Sequence, residues 1–396
     1  MIEVPTLVLA AGEGMRLRPL TRHRPKPMVP VIGKPILEHA FDELIEAGSG
    51  KLNIVVGYRR ERVQSHFGST YRDVPLHYVL QKKQLGTGHA VLVAEDTVDD
   101  PFLVVNGDQI VDRGILREVL GSHQSTDAVV TLAVMRRPPN EEYGGVAVEN
   151  GVVTGFIDPP LSEERDVLLN VGTYCFESDI FDAIRQTTPR DGEHSLVDAI
   201  SHLVETGEEV RAVETEGLWL DATYPWDVLD IAENLFDHER RPDRRSNSVA
   251  ESATVHEDAT LREPTVVQPD CEIGPCAVVG PYVCLGENAT VGSGAVLERC
   301  VVDADVRIGS NATLVDCVLG RGVGVGPGST VPGGPGDVRV GAVVHEDERL
   351  GALLADRVRD RGGVTYVPGT IVGSDTTLHA GAVVRGTIEH ETEVYS

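Results

Sequence analysis

Three stretches of this 396-residue chain carry side chains whose type and spacing suit phosphate chemistry. The first is Leu9-Ala10-Ala11-Gly12-Glu13-Gly14-Met15-Arg16-Leu17-Arg18-Pro19-Leu20, directly after an apolar run. Glycines there let backbone N–H groups approach a polyphosphate closely, so Leu9, Ala11, Gly12 and Gly14 are candidate nucleotide-binding positions. No Gly-Lys-Ser/Thr follows at Walker spacing, and Leu17 stands where a dinucleotide fingerprint needs its third glycine. What the stretch adds is Arg16, and then Lys26 within Arg24-Pro25-Lys26-Pro27. Fixed cations beside a glycine loop suit a triphosphate whose leaving group is anionic. Arg16 and Lys26 are the candidate catalytic pair.

The second stretch, Gln81-Lys82-Lys83-Gln84-Leu85-Gly86-Thr87-Gly88-His89-Ala90, offers an amide able to pair with a base edge, then a glycine turn opening a helix. On its residues alone it serves equally well as a strand-to-helix connection. The third is Val104-Val105-Asn106-Gly107-Asp108, an aspartate just off a buried strand, which has a counterpart in Trp219-Leu220-Asp221-Ala222-Thr223. Mg²⁺ takes hard oxygen ligands, commonly one or two carboxylates with phosphates and water. Either aspartate alone reads as a cap or turn residue; as a pair, Asp108 and Asp221 are candidate metal ligands.

The elements around these stretches alternate. Thr6 to Leu9, Leu52 to Val56 and Phe102 to Val105 are short apolar strand patterns, with helical runs at Ile36 to Ala47, Glu61 to Phe67 and around Val91-Leu92. This βαβ rhythm predicts an α/β domain with a mostly parallel sheet. Such sheets bind ligands at the carboxyl ends of their strands, where the three stretches fall. A polar, charged segment from His238 to Ser248 carries a proline and reads as the tail of a helix running into a linker. The expected division is 1–237, a linker at 238–250, and a second domain at 251–396.

Composition narrows the classes. The net charge of −27 argues against a nucleic-acid partner, which needs a cationic footprint. Lysine is scarce, with Lys26, Lys34, Lys51, Lys82 and Lys83 against thirty arginines. So acidic a surface reads as adaptation to a salty cytoplasm, where screening weakens self-repulsion. No apolar run approaches the roughly 20 residues that span a bilayer, and no leader pattern opens the chain, so the expected location is cytoplasmic and off the membrane. The six cysteines form no CxxC pair, which leaves a zinc site without support.

The string LAAGEGMRLRPLTRHRPKPMVPVIGKP resembles the signature of the sugar-phosphate nucleotidylyltransferases, the group of glucose-1-phosphate thymidylyl- and uridylyltransferases. The resemblance covers about residues 4 to 235. With the repeats described below, the whole is similar to the two-domain form of bifunctional N-acetylglucosamine-1-phosphate uridylyltransferases. It implies a Rossmann-like nucleotidyltransferase domain that makes an NDP-sugar and pyrophosphate from UTP or dTTP and a glucose or N-acetylglucosamine 1-phosphate, with Mg²⁺. It implies that Arg16 contacts the β- and γ-phosphates, Lys26 the α-phosphate, and Asp108 and Asp221 the metal. By the same resemblance Gln81 and Gly86 read the pyrimidine with Thr87 nearby, and Gly144, Asp158 and Asn170 face the sugar, from Tyr143-Gly144-Gly145, Ile157-Asp158-Pro159 and Asn170-Val171-Gly172. The family commonly shows Glu followed by Lys where this chain has Asp158-Pro159, so an expected cation for the sugar phosphate is missing.

Beyond the linker the texture changes. Aliphatic residues recur every sixth position from Val255 through Leu261, Val267, Ile273, Val279, Leu285, Val291 and Leu297. After slips of one they continue to Val331. Two positions before most of them lies a small or β-branched residue, such as Cys271, Ala277, Ala289, Cys300 or Cys317. A period of six fits neither an amphipathic helix nor an alternating strand; it fits a parallel β-helix with three flat faces, left-handed in the architecture resembled. The register is lost from Pro332 to about Gly363, read as an insertion, and returns at Val372, Leu378 and Val384. Relatives of this form often acetylate an amino-sugar phosphate there, with a histidine in a motif like HLSYVGD. Here Ser310-Asn311-Ala312-Thr313-Leu314-Val315-Asp316 stands in its place, and His256, His345, His379 and His390 read as surface residues. Assembly, as a homo-oligomer and most simply a trimer, is the expected role of this domain. A bifunctional enzyme and a non-catalytic regulatory homologue are the alternatives.

Overall fold

The computed structural model describes residues 4–138, 144–158, 166–238 and 248–396. Tyr143, Pro159 and residues 239–247 of the expected linker lie outside them. Contacts divide the chain into two compact units: Met1–Glu13, Arg24–Met28 and Ile36–Asp221 in the first, and Gly14–His23, Val29–Pro35 and Ala222–Ser396 in the second.

The first unit is built on a ten-stranded mixed sheet. At its centre β1 (Thr6–Ala10), β2 (Leu52–Val56), β3 (Val74–Leu80) and β4 (Phe102–Asn106) run parallel in the order β4-β1-β2-β3. All five residues of β1 are buried, and so are those of β2, because helices cover both faces. That is why these strands read as unbroken apolar runs. Helices α1 (Ile36–Ala47), α2 (Arg60–Phe67) and α4 (Arg113–Gln124) pack on one face through Phe41, Phe67 and Val119. Helices α3 (Gly86–Leu92), α5 (Asp179–Gln186) and α6 (Leu196–Thr206) pack on the other through Val91, Ile184 and Ile200. Beyond β4 the sheet continues through β6 (Val130–Arg137), β7 (Gly145–Glu149), β8 (Val152–Ile157), β9 (Val167–Phe176) and β10 (Val210–Glu214). Of these β9 runs antiparallel to both β4 and β6. A separate two-stranded ribbon joins β5 (Gln109–Val111) to β11 (Trp219–Asp221).

In the second unit the hexapeptide pattern becomes a coil of short parallel strands, each paired with its counterpart one turn later. Thr254 faces Glu272, Glu272 faces Thr290, and Thr290 faces Arg307. Ile273, Leu285, Leu297 and Leu314 point into one continuous dry core with Cys271, Ala277, Ala295, Cys300 and Cys317 in its corners. Cysteine serves there as a compact apolar side chain. Asp270, Asn288, Asp305 and Asn311 turn the corners with positive φ, a conformation that Asn and Asp tolerate best after glycine.

The expected insertion is shorter than the sequence pattern implied. Strand Ala352–Leu354 has already rejoined the coil, paired with Cys317 to Leu319 on one side and Thr370 to Val372 on the other. The six-residue spacing runs unbroken through Leu354, Asp360, Tyr366 and Val372, but two inward positions there are polar. The Tyr366 hydroxyl donates to Asp360 at 3.0 Å and the Ser329 hydroxyl at 2.9 Å, which satisfies a buried carboxyl. Burial still holds the Asp360 carboxyl above the usual carboxylate range, against the hydrogen bonds that favour its charge. What projects from the coil is an antiparallel hairpin of β12 (Gly336–Val340) and β13 (Val343–Glu348).

Helix α7 (Asp227–Asp237) belongs to this unit and is anchored on it by Arg299. That side chain is buried, and its guanidinium meets Glu233 at 2.7 Å, Asp316 at 3.0 Å, and Asp230. Removing one member of a buried ion cluster leaves uncompensated charge. Arg299→Met is expected to destabilise the second unit by about 3 kcal/mol, measured by denaturant unfolding; an unchanged midpoint would refute the anchor.

Candidate active site

The ribbon of β5 and β11 explains how two aspartates 113 positions apart come together. Asp221 pairs with Gln109, so Asp108 enters the ribbon beside the residue at which Asp221 leaves it. Lys26, on the short 3₁₀ turn Lys26–Met28, places its ammonium between them. Its Nζ lies 2.7 Å from Asp108 Oδ2 and 3.3 Å from Asp221 Oδ1. Burial opposes the charge on Lys26, but attraction and hydrogen bonds to both carboxylates outweigh it, raising its pKa above the ordinary lysine value. Three of the sequence-derived site residues thus meet at one point.

Several of the other candidates lie around one cleft and the loop beside it in the first unit. Gly144, Asp158, Asn170 and Thr87 line one cleft of about 520 Å³. Gly172 lies at the bottom of the β9 irregularity with φ +76°, where a Cβ would stand 2.4 Å from Asn106 Nδ2. Asn170 is held by donating to the Tyr174 hydroxyl at 2.9 Å, while its Oδ1 accepts from Gly172 N–H at 3.0 Å. Gln81 is almost fully buried at 3 % exposure; its amide nitrogen donates to Gly86 O at 3.1 Å and contacts His89 Nδ1 at 3.0 Å. Both amide hydrogens are committed, which leaves its oxygen as the group able to accept from a base N–H. Burial, and then the neighbouring His194, hold the His89 pKa below the usual histidine value, which suits Nδ1 as the acceptor. Gly86 has φ +90°, and a Cβ there would lie 2.5 Å from His194 O, so glycine is required by both backbone and space. The Thr87 hydroxyl accepts from Leu196 N–H at the start of α6.

Leu9, Ala11 and Gly12 lie at the carboxyl end of β1, where Leu9 O accepts from Gly107 N–H at 2.8 Å. Gly14 and Arg16 fall in the second unit. Gly14 adopts the left-handed conformation that starts the turn Met15–Leu17, and its carbonyl accepts from the Thr21 hydroxyl at 2.7 Å. The Arg16 guanidinium stands 5.9 Å from the centroid of the Tyr224 ring. Sequence reasoning missed Asn106, Gln109 and Arg190, all of which line the cleft. Asn106 could have been found inside the Val104-to-Asp108 stretch. Arg190, in the Pro189-Arg190-Asp191-Gly192 turn, carries no periodic signal, yet it brings a cation to the cleft, 3.2 Å from Asp198.

Residues 5–237 match the model of the nucleotidyl transferase family, more than half of the chain, and the chain belongs to that family. Residues 261–391 match the model of the GMPPB C-terminal domain. The chain is similar to the UTP–glucose-1-phosphate uridylyltransferase AglF of Haloferax volcanii, 38% identical over 237 residues, 59% of this chain and 96% of that protein. It is also similar to the bifunctional protein GlmU of Methanococcus maripaludis, 38% identical over 231 residues, 58% of this chain and 54% of that protein. The match thus spans about half the length of that relative. A solved structure of UDP-glucose pyrophosphorylase complexed with UDP-glucose shares the fold, with a TM-score of 0.53 at 24% identity over 59% of this chain and 98% of that one.

Asp108 and Asp221 supply only hard oxygens, the donor set that Mg²⁺ accepts, and the Lys26 ammonium already occupies a cation's place between them. Lys26→Met is expected to lower stability by about 2 kcal/mol in chelator, because two partly buried carboxylates lose their shared cation. Millimolar Mg²⁺ should restore most of the loss in a thermal melt. Equal melting with and without Mg²⁺ would show that the pair does not hold a divalent ion.

Proposed function

We propose that the chain transfers a nucleotidyl group from UTP or dTTP to a sugar 1-phosphate and releases pyrophosphate. The observation that carries this reading is the convergence of Lys26, Asp108 and Asp221. A phosphate oxygen of the sugar 1-phosphate attacks the α-phosphorus in line. The bond from that phosphorus to the bridging oxygen of the β-phosphate breaks, and pyrophosphate leaves with the electron pair. No covalent intermediate on the protein is needed, so the work is positioning and charge neutralisation. Lys26 turns its ammonium to the α-phosphate, and Arg16 meets the β- and γ-phosphates. Asp108 and Asp221 would hold Mg²⁺, which would add to the neutralisation of phosphate charge.

The cleft of Gly144, Asp158 and Asn170 takes the sugar, and Arg190 on its lining stands in for the missing lysine after Asp158. Gln81 Oε1 accepts from N3–H of uracil or thymine, with Gly86 and Thr87 beside the base and Leu9, Ala11, Gly12 and Gly14 along the phosphates. Similarity to the Haloferax UTP–glucose-1-phosphate uridylyltransferase favours UTP and glucose 1-phosphate within this set. The coil is proposed to be left-handed and to assemble the chain as a trimer, in the cytoplasm. Among the described residues no helix is long and apolar enough to cross a membrane.

Pyrophosphate release at high KCl, crossing both triphosphates with several sugar 1-phosphates, tests the reading. At least one pair should turn over, and Asp108→Asn should lower kcat by about a hundredfold or more. No turnover with any pair, or wild-type rates in Asp108→Asn, would favour the regulatory homologue instead.

A further inference from the structure

The hairpin of β12 and β13 interrupts a coil that closes without it, and nothing in the proposed reaction yet uses it. Its His345, read from the sequence as a surface residue, is half-buried against two aromatic rings. The imidazole packs against Tyr224 and Trp226 with ring centroids 4.6 and 5.1 Å away. Those two rings stack face to face at 4.7 Å and 4°, and only 8% and 7% of them is exposed. Over Tyr224 stands the guanidinium of Arg16. An unbroken series of packed side chains therefore runs from the inserted arm to the arginine of the glycine loop, all within the second unit.

The same loop is tied to the coil again at its far end. Arg357 is bidentate on Asp375, at 2.7 Å twice, and its Nη2 lies 3.2 Å from His23 Nε2. Burial first, and then the Arg357 charge, hold the His23 pKa below the usual value, so its ring is the neutral acceptor of that contact. Residues 14–23 thus contact other parts of the second unit at both ends.

We propose that the inserted arm is a positioning device for the triphosphate loop, in which His345 fixes the Tyr224–Trp226 pair and that pair fixes the Arg16 guanidinium. The inference rests on the reading of Arg16 as a triphosphate ligand. Arg16 is solvent-exposed on a three-residue turn. A long side chain so placed has much rotamer freedom to lose when it binds, and an aromatic face removes part of that freedom in advance. The face works only if the ring is itself held. Trp226 covers Tyr224 from α7's start, and His345 closes the cluster from the hairpin. His345 is a positioning residue, since it reaches the phosphates only through other side chains.

The test uses the full chain, comparing His345→Ala with His345→Phe. His345→Ala should lower kcat/KM for UTP about tenfold, with the KM of the sugar 1-phosphate within about twofold of wild type. His345→Phe, which keeps a ring, should restore most of the loss even if the alanine variant melts earlier. Unchanged kcat/KM for UTP in His345→Ala, or a loss that phenylalanine does not rescue, overturns the proposal. A second readout is independent of turnover. In a Trp219→Phe background Trp226 is the sole tryptophan, and its emission should respond to inorganic triphosphate but not in Arg16→Ala. A silent Trp226 in a chain that turns over UTP contradicts the coupling, whereas a responsive Trp226 without turnover sinks the proposed reaction and leaves the coupling standing.

Discussion

The ammonium of Lys26 between two aspartates is the constraint around which the first unit is arranged. Like charges as close as Asp108 and Asp221 repel unless a cation stands between them. The fold brings them together only because the ribbon of β5 and β11 sets their register. The ribbon in turn hangs from β4, whose burial on both faces leaves it no freedom to shift. A site assembled this way is preorganised for cations and for the anions that cations attract. It gives a physical reason for a carboxylate pair in a chain whose surface is already strongly acidic.

The second unit contributes by a different physics. Its coil is held by a dry stack of aliphatic and small side chains repeated turn after turn, and each turn depends mainly on its neighbours. Such a stack tolerates a polar interruption when the polar groups satisfy one another, as Asp360, Tyr366 and Ser329 do. It also tolerates an inserted hairpin, because the strands on either side of the insertion still pair in register. Gly14 to His23 and α7 also belong to this unit.

Much of this was legible in the sequence, and the failures share one cause. Strands β1, β2 and β4 were readable because burial writes itself as an apolar run, α1 because its apolar residues recur at helical spacing, and the coil because aliphatics recurred at a spacing that no helix or flat strand produces. Lys26, Asp108 and Asp221 were found through the strings around them, and the family resemblance put all three about one triphosphate; the direct ion pairs of Lys26 with both carboxylates carried no local signal. A three-residue ribbon is too short to leave a pattern. The coil's register was lost where Asp360 and Tyr366 took inward positions, since counting aliphatics cannot see a buried polar pair. Arg190 and His345 escaped for the same reason: each acts through a contact distant in sequence, from a turn or hairpin without periodicity.

Mn²⁺ binding in the presence of UTP, followed by electron paramagnetic resonance, bears most directly on the claim that the two aspartates and a triphosphate share one divalent ion. The account predicts a single tightly held ion per chain that disappears when Asp108 and Asp221 are both replaced by asparagine. Unaltered Mn²⁺ binding in that double variant would contradict it.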